Sequence, residues 1–322
     1  MAVIRQITTV ASVAMPIEEK WIVRRCRYMP AEGASGRVCI ATGIHGDEMM
    51  GQLIAFGVVS RIMEQQEHLH GIVDVYPMLN PLGLDIGERL VPASTRLDMN
   101  RAFPGTPDGT PLESVCYQLV QDMRGADLVL DIHASTQNKS ELYEVRLNAA
   151  SAAQLAEQAR ALCPEVIWIY PEKTAYEASL TGALCSLGTP AMILEADERR
   201  RKPQEIAGRV VEGIFCKLRE MGLWTGSAVE PPRAGEEIPT IRTKEDVLRV
   251  TCEHPGVYVP EDCIGEWVQE GRILGRIIDA LEGVVREEIK APCAGLVFSQ
   301  RSYSAVYPGT LIARLLRRRE EA

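Results

Sequence analysis

The sequence predicts a mixed α/β domain followed by a small all-β domain. From about residue 37 to residue 220, short apolar segments alternate with amphipathic segments of helical period, which is the pattern of a mostly parallel sheet flanked by helices. After Trp224 the composition changes: a stretch rich in proline and glutamate, 230–239, leads to short β-rich segments with regularly spaced glycines. Because 322 residues suffice for two domains, we predict domains at 1–228 and 229–322.

The elements of the first domain follow one another in this alternating order. Short apolar runs predict buried strands, and apolar positions three and four residues apart predict helices. Pro111 and Pro203 stand at the starts of two helices and Gly222 just after the end of the last, all common helix boundaries. The predicted strands are 38–41, 72–79, 127–132, 166–170 and 191–194, and the predicted helices are 49–65, 111–123, 150–162 and 203–221.

The second domain shows no persistent helical period. It reads as a barrel-like β module of about 80–90 residues, which is within the usual size of a small domain. The predicted strands are 247–251, 275–278, 284–289, 295–298 and 310–316.

The composition argues against several classes of function. The net charge is −9, and the basic run Arg317-Arg318-Arg319 is followed by two glutamates, so we expect no nucleic-acid partner. Residues 1–30 lack the pattern of a signal peptide, and no stretch reaches the roughly 18 apolar residues of a membrane helix, so we expect no membrane association. The nine cysteines are scattered without a C-x-x-C pair, which indicates a reducing, cytoplasmic location.

Two histidines and a glutamate follow predicted strands. His45 and Glu48 lie in the segment 43–48, directly after the strand 38–41, and His133 follows the strand 127–132. In parallel α/β sheets the carboxyl ends of the strands form the site, so the three side chains can converge. Two histidines and one glutamate are the ligand set of several catalytic zinc sites, with a fourth position left for water. The alternative is that each histidine is a hydrogen-bonded structural residue.

The loops between these strands carry arginines and an asparagine. Arg89, Arg96, Asn100 and Arg101 lie in a stretch rich in proline and glycine. Arginine side chains bind carboxylates and oxyanions in a bidentate manner, so these residues are candidates for holding a substrate. The alternative is a surface loop with solvated charges, which we prefer for Arg96 taken alone.

Five separated motifs together resemble a known family. They are the sequence GIHGDE at 43–48, Asn80-Pro81, the sequence DMNRAFPG at 98–105, Asp131 with His133, and Glu195. In this order they resemble the succinylglutamate desuccinylase/aspartoacylase family of the zinc carboxypeptidase-like superfamily, from about residue 37 to 200. The resemblance implies a zinc-carboxypeptidase-like sheet in the first domain.

The end of the chain resembles the biotinyl/lipoyl-type barrel that forms the tail of these enzymes. A carrier barrel would have a lysine at the hairpin tip, where this chain has Glu282-Gly283-Val284. We therefore interpret the second domain as a structural lid or as the surface of a homo-oligomer.

The resemblance also implies the catalytic roles. His45, Glu48 and His133 would bind one Zn²⁺ per chain, and Glu195 would be the general base that takes a proton from zinc-activated water. Asp197 competes with Glu195 for this role. Glu195 has the alternative of pairing with one of the arginines at 199–201.

For the substrate, the resemblance implies three further residues. Arg89 would polarise the scissile carbonyl, with Arg96 as the fallback, and Asn100 and Arg101 would hold the substrate carboxylate. The segment 137–180, where the choice of acyl group and amine is expected to lie, matches the family least.

The sequence therefore predicts a zinc-dependent amidohydrolase that acts on carbon–nitrogen bonds other than peptide bonds. Its expected substrate is a small N-acyl amino acid or a related amide. The alternatives are a metallocarboxypeptidase acting on a peptide end, and a non-catalytic protein that binds a metal or a metabolite.

Overall fold

The computed structural model describes residues 2–92, 96–135, 138–171, 175–197, 202–229 and 240–317. Within these residues the chain forms one nine-stranded mixed sheet with helices on both faces, followed by two smaller antiparallel sheets. The predicted fold class is confirmed. No helix in this part of the chain has the length and apolar character needed to span a bilayer.

The secondary structure has the following bounds. The strands up to residue 242 are β1 (Val3–Ala14), β2 (Lys20–Pro30), β3 (Arg37–Thr42), β4 (Ile72–Tyr76), β5 (Leu128–Ala134), β6 (Lys139–Glu141), β7 (Glu144–Asn148), β8 (Val166–Tyr170), β9 (Ala191–Ala196) and β10 (Thr240–Arg242). The helices are α1 (Met50–Glu64), α2 (Pro81–Ile86), α3 (Pro111–Met123), α4 (Ala149–Ala159), α5 (Leu180–Ser186) and α6 (Pro203–Glu220). The later strands are β11 (Val247–Thr251), β12 (Gly256–Pro260), β13 (Trp267–Val268), β14 (Ile273–Asp279), β15 (Val284–Lys290), β16 (Gly295–Arg301), β17 (Ser304–Val306) and β18 (Leu311–Leu316). Short 3₁₀ helices lie at Pro16–Glu18, Gln66–His68, Met99–Arg101, Arg160–Leu162, Ala175–Ala178 and Lys244–Asp246.

The strand order in the large sheet is β1-β2-β4-β3-β5-β9-β7-β8-β10. The central strands β4, β3, β5 and β9 are mutually parallel. β2 and β7 run antiparallel to their central neighbours, β4 and β9 respectively. The carboxyl ends of β3, β5 and β9 therefore lie side by side at one edge of the sheet, which is where α/β sheets place their sites.

The central strands are buried on both faces. Along β3, Val38 and Ile40 pack with α1 and α6 on one face, while Cys39 and Ala41 pack with α3 and α5 on the other. Strands covered by helices on both sides read as continuous apolar runs. This is why β3, β5 and β9 were recognisable in the sequence.

The start of α3 shows why one helix boundary was predictable to the residue. Thr110 and Glu113 form a capping box: the Thr110 hydroxyl accepts a hydrogen bond from the Glu113 N–H, and the Glu113 carboxylate accepts one from the Thr110 N–H. Pro111 occupies the first helical position, where its missing N–H costs nothing.

The strands after residue 246 form what we call the C-terminal β-module, residues 247–317. One of its sheets has the order β11-β18-β16-β13 and the other β15-β14-β12-β17. A separate apolar core lies between them, including Tyr258, Leu274, Val297 and Leu315.

The two halves of the chain exchange strands. β10, which lies beyond the predicted domain boundary, adds to the large sheet beside β8, and β6 from the first half adds to β16 of the C-terminal β-module. The division at residues 228 and 229 stays a prediction, and the proposed linker at 230–239 lies outside the described residues.

Candidate active site

Three ligand-type side chains meet at the carboxyl edge of the large sheet. His45 and Glu48 lie between β3 and α1, and His133 lies near the end of β5. The Nδ1 atoms of the two histidines are 3.2 Å apart, and they lie 2.7 Å and 3.0 Å from the two carboxylate oxygens of Glu48. All three side chains are buried.

This donor set fits a metal ion. Ligand atoms at tetrahedral positions around zinc are about 3.3 Å apart, close to the separations seen here. The two ring nitrogens, 3.2 Å apart, and the Glu48 carboxylate surround one point, where their lone pairs can be shared by a cation. The cluster can therefore hold a metal.

Each histidine has a carboxylate on its other ring nitrogen. Nε2 of His45 lies 3.0 Å from Oδ1 of Asp98, and Nε2 of His133 lies 3.2 Å from Oδ2 of Asp131. Such contacts orient a ligating imidazole and fix its tautomer, so that Nδ1 presents a lone pair. Both aspartates belong to the motifs that stand out in the sequence.

The electrostatics follow from this packing of opposite charges. Burial opposes protonation of His45, but the carboxylates of Glu48 and Asp98 outweigh it and raise the His45 pKa. The pKa of His133 is raised in the same way by Asp131 and Glu48. Although burial alone would raise the pKa of Glu48, the two histidines hold it well below its usual range. A cationic ligand at this position replaces protons, so binding releases them.

The loop that carries His45 and Glu48 is shaped by its contact with α2. Gly46 lies so close to this helix that an added Cβ would be 2.0 Å from the carbonyl carbon of Gly83. Asn80 caps α2 by accepting a hydrogen bond from the Gly83 N–H at 2.9 Å, and its own N–H donates to the Gly43 carbonyl at 2.8 Å. The Asn80-Pro81 motif therefore positions the helix against which residues 43–49, the ligand loop, pack.

The arginine next to the cluster is Arg89. Its Nη1 donates to Oε1 of Glu48 at 3.1 Å, and its Nη2 donates to Oδ2 of Asp98 at 3.2 Å. Arg96 instead pairs with Glu88, and its side chain is 69% exposed. Between the two arginines considered from the sequence, the geometry therefore favours Arg89.

Asn100 and Arg101 have different surroundings. Asn100 is buried; its Oδ1 accepts from the Leu180 N–H at 3.0 Å, and its Nδ2 lies 3.3 Å from Nε2 of His133. Arg101 is exposed and donates to the Asn100 carbonyl at 2.6 Å. Asn100 thus lies between the His133 ring and the start of α5, and Arg101 is the more exposed residue of the pair.

Glu195 lies on β9, level with His133 on β5. Its carboxylate forms an ion pair with Nη1 of Arg146 on β7. Burial raises the pKa of Glu195, although Arg146 opposes this shift. Asp197, the competing candidate, is buried two residues further on and does not line the cavity described next.

A cavity of about 140 Å³ brings these groups together. Its lining includes all seven side chains predicted from the sequence. It also includes Lys139 and Arg146, which are not among those seven. The lining residues are His45, Glu48, Arg89, Asn100, Arg101, His133, Ala134, Lys139, Arg146, Ile193 and Glu195.

A larger cavity of about 540 Å³ lies between α6 and the C-terminal β-module. It contains no histidine and no set of metal ligands among the described residues. The candidate metal ligands His45, Glu48 and His133 line the smaller cavity.

Comparison with known proteins places this chain in a family. The family model for the succinylglutamate desuccinylase/aspartoacylase catalytic domain matches residues 34–221. The N-alpha-acetyl-L-2,4-diaminobutyric acid deacetylase of Halomonas elongata is 26% identical over 300 residues, which cover 87% of this chain and 82% of that protein.

Solved structures share the fold. The succinylglutamate desuccinylase/aspartoacylase of Rhodobacter sphaeroides has a TM-score of 0.79 at 20% identity, covering 98% of this chain and 96% of its own. A metallo-carboxypeptidase of Burkholderia cenocepacia has a TM-score of 0.54 at 14% identity, covering 68% and 64%. With a catalytic-domain match over more than half of its length, the chain belongs to the succinylglutamate desuccinylase/aspartoacylase family.

Proposed function

We propose that this protein is a zinc-dependent hydrolase that cleaves the amide bond of a small N-acyl amino acid. The observation that carries the proposal is that the His45–Glu48–His133 cluster, Glu195 and Arg89 all face one cavity. The deacetylase activity named for the Halomonas elongata relative supports an amide as the bond that is cleaved.

The proposed mechanism assigns one task to each group. Bound zinc would supply a Lewis acid and would lower the pKa of water to about 7. Glu195 accepts the proton of the attacking water and later passes it to the leaving amine. Arg89, beside Glu48, offsets the negative charge that develops on the carbonyl oxygen.

The charges of the cavity support a substrate that carries a carboxylate. Arg101 is exposed at its rim, and Lys139 lies in its wall with its side chain 24% exposed. We assign substrate binding to Asn100 and Arg101, both of which line the cavity. A fixed carboxylate orients the amide toward the reacting groups.

A metallocarboxypeptidase is the second candidate, because the chain shares its fold with such an enzyme. The cavity of about 140 Å³ favours a small acyl amino acid over a peptide end. We also propose that residues 1–228 form the catalytic domain, that residues 229–322 form the β-rich domain, and that the enzyme acts in the cytoplasm.

A substrate screen tests this proposal. Purified protein loaded with zinc is incubated with N-acetyl, N-succinyl and N-formyl amino acids, alongside peptides with free carboxyl ends. We expect hydrolysis of N-acyl amino acids that stops on chelation and returns with zinc. Protein that holds no near-stoichiometric zinc and keeps its activity in chelator would contradict the proposal.

Glu195→Gln tests the general base within the same assay. The amide keeps the size of the side chain but accepts no proton, so we expect kcat to fall by about 10²–10⁴-fold while the zinc content stays unchanged. Glu205→Gln is the matched control, because Glu205 is 65% exposed and pairs with Lys202 on the surface. Wild-type turnover in Glu195→Gln would show that another group, such as Asp197, is the base.

A further inference from the structure

We infer that Arg146 is a positioning residue for Glu195, and that the C-terminal β-module holds Arg146 in place through Arg314 and Glu141. The role of Glu195 as general base rests on the proposed function. The arrangement of the four side chains does not, and it can be tested separately.

The first link joins Arg146 to Glu195. They lie on the neighbouring strands β7 and β9, and Nη1 of Arg146 donates to Oε1 of Glu195. Arg146 is 7% exposed and Glu195 is 9% exposed. Because the Glu195 carboxylate is buried and one of its oxygens is held by Arg146, few orientations in the cavity remain open to it. A general base needs such a defined position, within reach of the proton that it accepts.

Arg146 itself is fixed from several sides. Its Nε donates to Oε1 of Glu144 at 2.6 Å, and its Nη2 donates to Oε2 of Glu141 at 3.0 Å. Its guanidinium also lies 5.6 Å and 5.8 Å from the ring centroids of Tyr170 and Trp168. A planar guanidinium with carboxylates around its edge and aromatic rings nearby has little freedom to turn.

The second link crosses to the C-terminal β-module. Nη1 of Arg314, on β18, donates to Oε1 of Glu141 at 3.3 Å and to the hydroxyl of Ser299 at 3.2 Å. Strand β6, which carries Glu141, pairs with β16, with Glu141 opposite Ser299. The backbone ladder and the side-chain contact thus hold Glu141 from the same side.

Glu141 is the point at which the two links meet. Although burial opposes its charge, Lys139, Arg146 and Arg314 lower the pKa of Glu141 to about 2. Loss of Arg314 leaves a buried anion with fewer cations, so Glu141 draws more strongly on Arg146. The contact between Arg146 and Glu195 weakens as a result, although Arg314 touches neither the cavity nor Glu195 among the contacts of the described residues.

The experiment compares three variants of the full-length, zinc-loaded enzyme. Arg314→Met removes the charge and keeps most of the side-chain volume. Arg314→Lys keeps the charge. Arg249→Met is the control, because Arg249 is exposed on the adjacent strand β11, directly opposite Arg314.

For Arg314→Met we expect kcat to fall about tenfold with KM within about twofold of wild type, since a small misplacement of a catalytic group affects chemistry more than binding. Arg314→Lys recovers most of the loss, and Arg249→Met behaves as wild type. A rise in KM at constant kcat, or unchanged kinetics in Arg314→Met, overturns the inference.

Crystal structures of wild type and Arg314→Met give a readout that does not depend on activity. We expect the guanidinium of Arg146 to shift toward Glu141 and its contact with Glu195 to lengthen or disappear. An Arg146–Glu195 pair that is unchanged in the variant overturns the inference even if no N-acyl substrate is found. If wild type hydrolyses none of the compounds but the pair moves as expected, the proposed function fails and the positioning inference stands.

Discussion

At the scale of single residues, the His45–Glu48–His133 cluster is supported by two further carboxylates, those of Asp98 and Asp131. Each contacts the outer ring nitrogen, Nε2, of one histidine. Asp98 contacts both Nε2 of His45 and Nη2 of Arg89. One side chain thus orients a proposed metal ligand and the arginine proposed to polarise the carbonyl. Partners of this kind commonly contribute 10–100-fold to metal affinity.

Asp98→Asn should therefore weaken zinc binding. The asparagine side chain can still accept the hydrogen bond from the Asn100 N–H that caps the 3₁₀ helix at Met99–Arg101. It lacks the negative charge that stabilises the His45 ring, so we expect the zinc dissociation constant to rise about tenfold. Competition with a chromophoric chelator measures it. Glu88→Gln is the control, because Glu88 pairs with the exposed Arg96. Unchanged affinity in Asp98→Asn would show that Asp98 does not orient His45.

Candidate site residues could be predicted from the sequence where they belong to a motif. They could not be predicted where their role depends on packing between distant parts of the chain. His45, Glu48, His133 and Glu195 lie at the ends of strands that are visible as apolar runs. Arg146 lies on a short strand with charged residues, Glu144–Asn148, which resembles a loop in sequence. Its role depends on carboxylates from three strands, and no local pattern records such a contact.

At the scale of elements, the ligand loop requires close contact between two pieces of backbone. In the structure the requirement is space: Gly46 packs against the backbone of Gly83 in α2. Gly43, by contrast, has a φ of 69°, a conformation that glycine adopts readily.

Gly46→Ala should destabilise the protein and disturb the cluster. The new methyl group would meet backbone atoms of Gly83 and Leu84 at 2.0 Å and 2.4 Å, so α2 or the loop must move, at a cost of about 3 kcal/mol. Urea denaturation measures the change in the free energy of unfolding.

Gly208→Ala is the control for this substitution. Gly208 lies within α6, and nothing is within 4 Å of an added Cβ, so we expect a gain of about 0.5–1 kcal/mol. Equal stability of Gly46→Ala and wild type would mean that the contact between the loop and α2 is not required.

At the scale of the whole molecule, the α/β part and the C-terminal β-module share an apolar cluster. Leu142, Val166 and Trp168 come from the first, and Phe298 and Leu316 from the second. The sequence indicated two domains because the composition changes near residue 230. It did not indicate the exchange of β6 and β10, since strands of three residues carry no periodic signal.

Phe298→Ala tests whether the two parts stabilise each other. Phe298 is fully buried, and its ring meets that of Trp168 edge to face with centroids 5.5 Å apart. Truncation of a buried phenylalanine costs about 3–5 kcal/mol. Because β6, next to this cluster, carries Glu141 and Lys139, we expect the variant to lose activity at a lower temperature than wild type.

Calorimetry on wild type and variant provides the measurement. We expect wild type to unfold in one transition, and Phe298→Ala to unfold at a lower temperature or in two separate steps, because the shared cluster couples the parts. Phe56→Ala is the control, since Phe56 is 70% exposed and its truncation should change stability by less than about 0.5 kcal/mol. Two well-separated transitions in wild type would show that the C-terminal β-module folds independently. In that case Glu141 would lose its contact with Arg314 whenever the module unfolds alone.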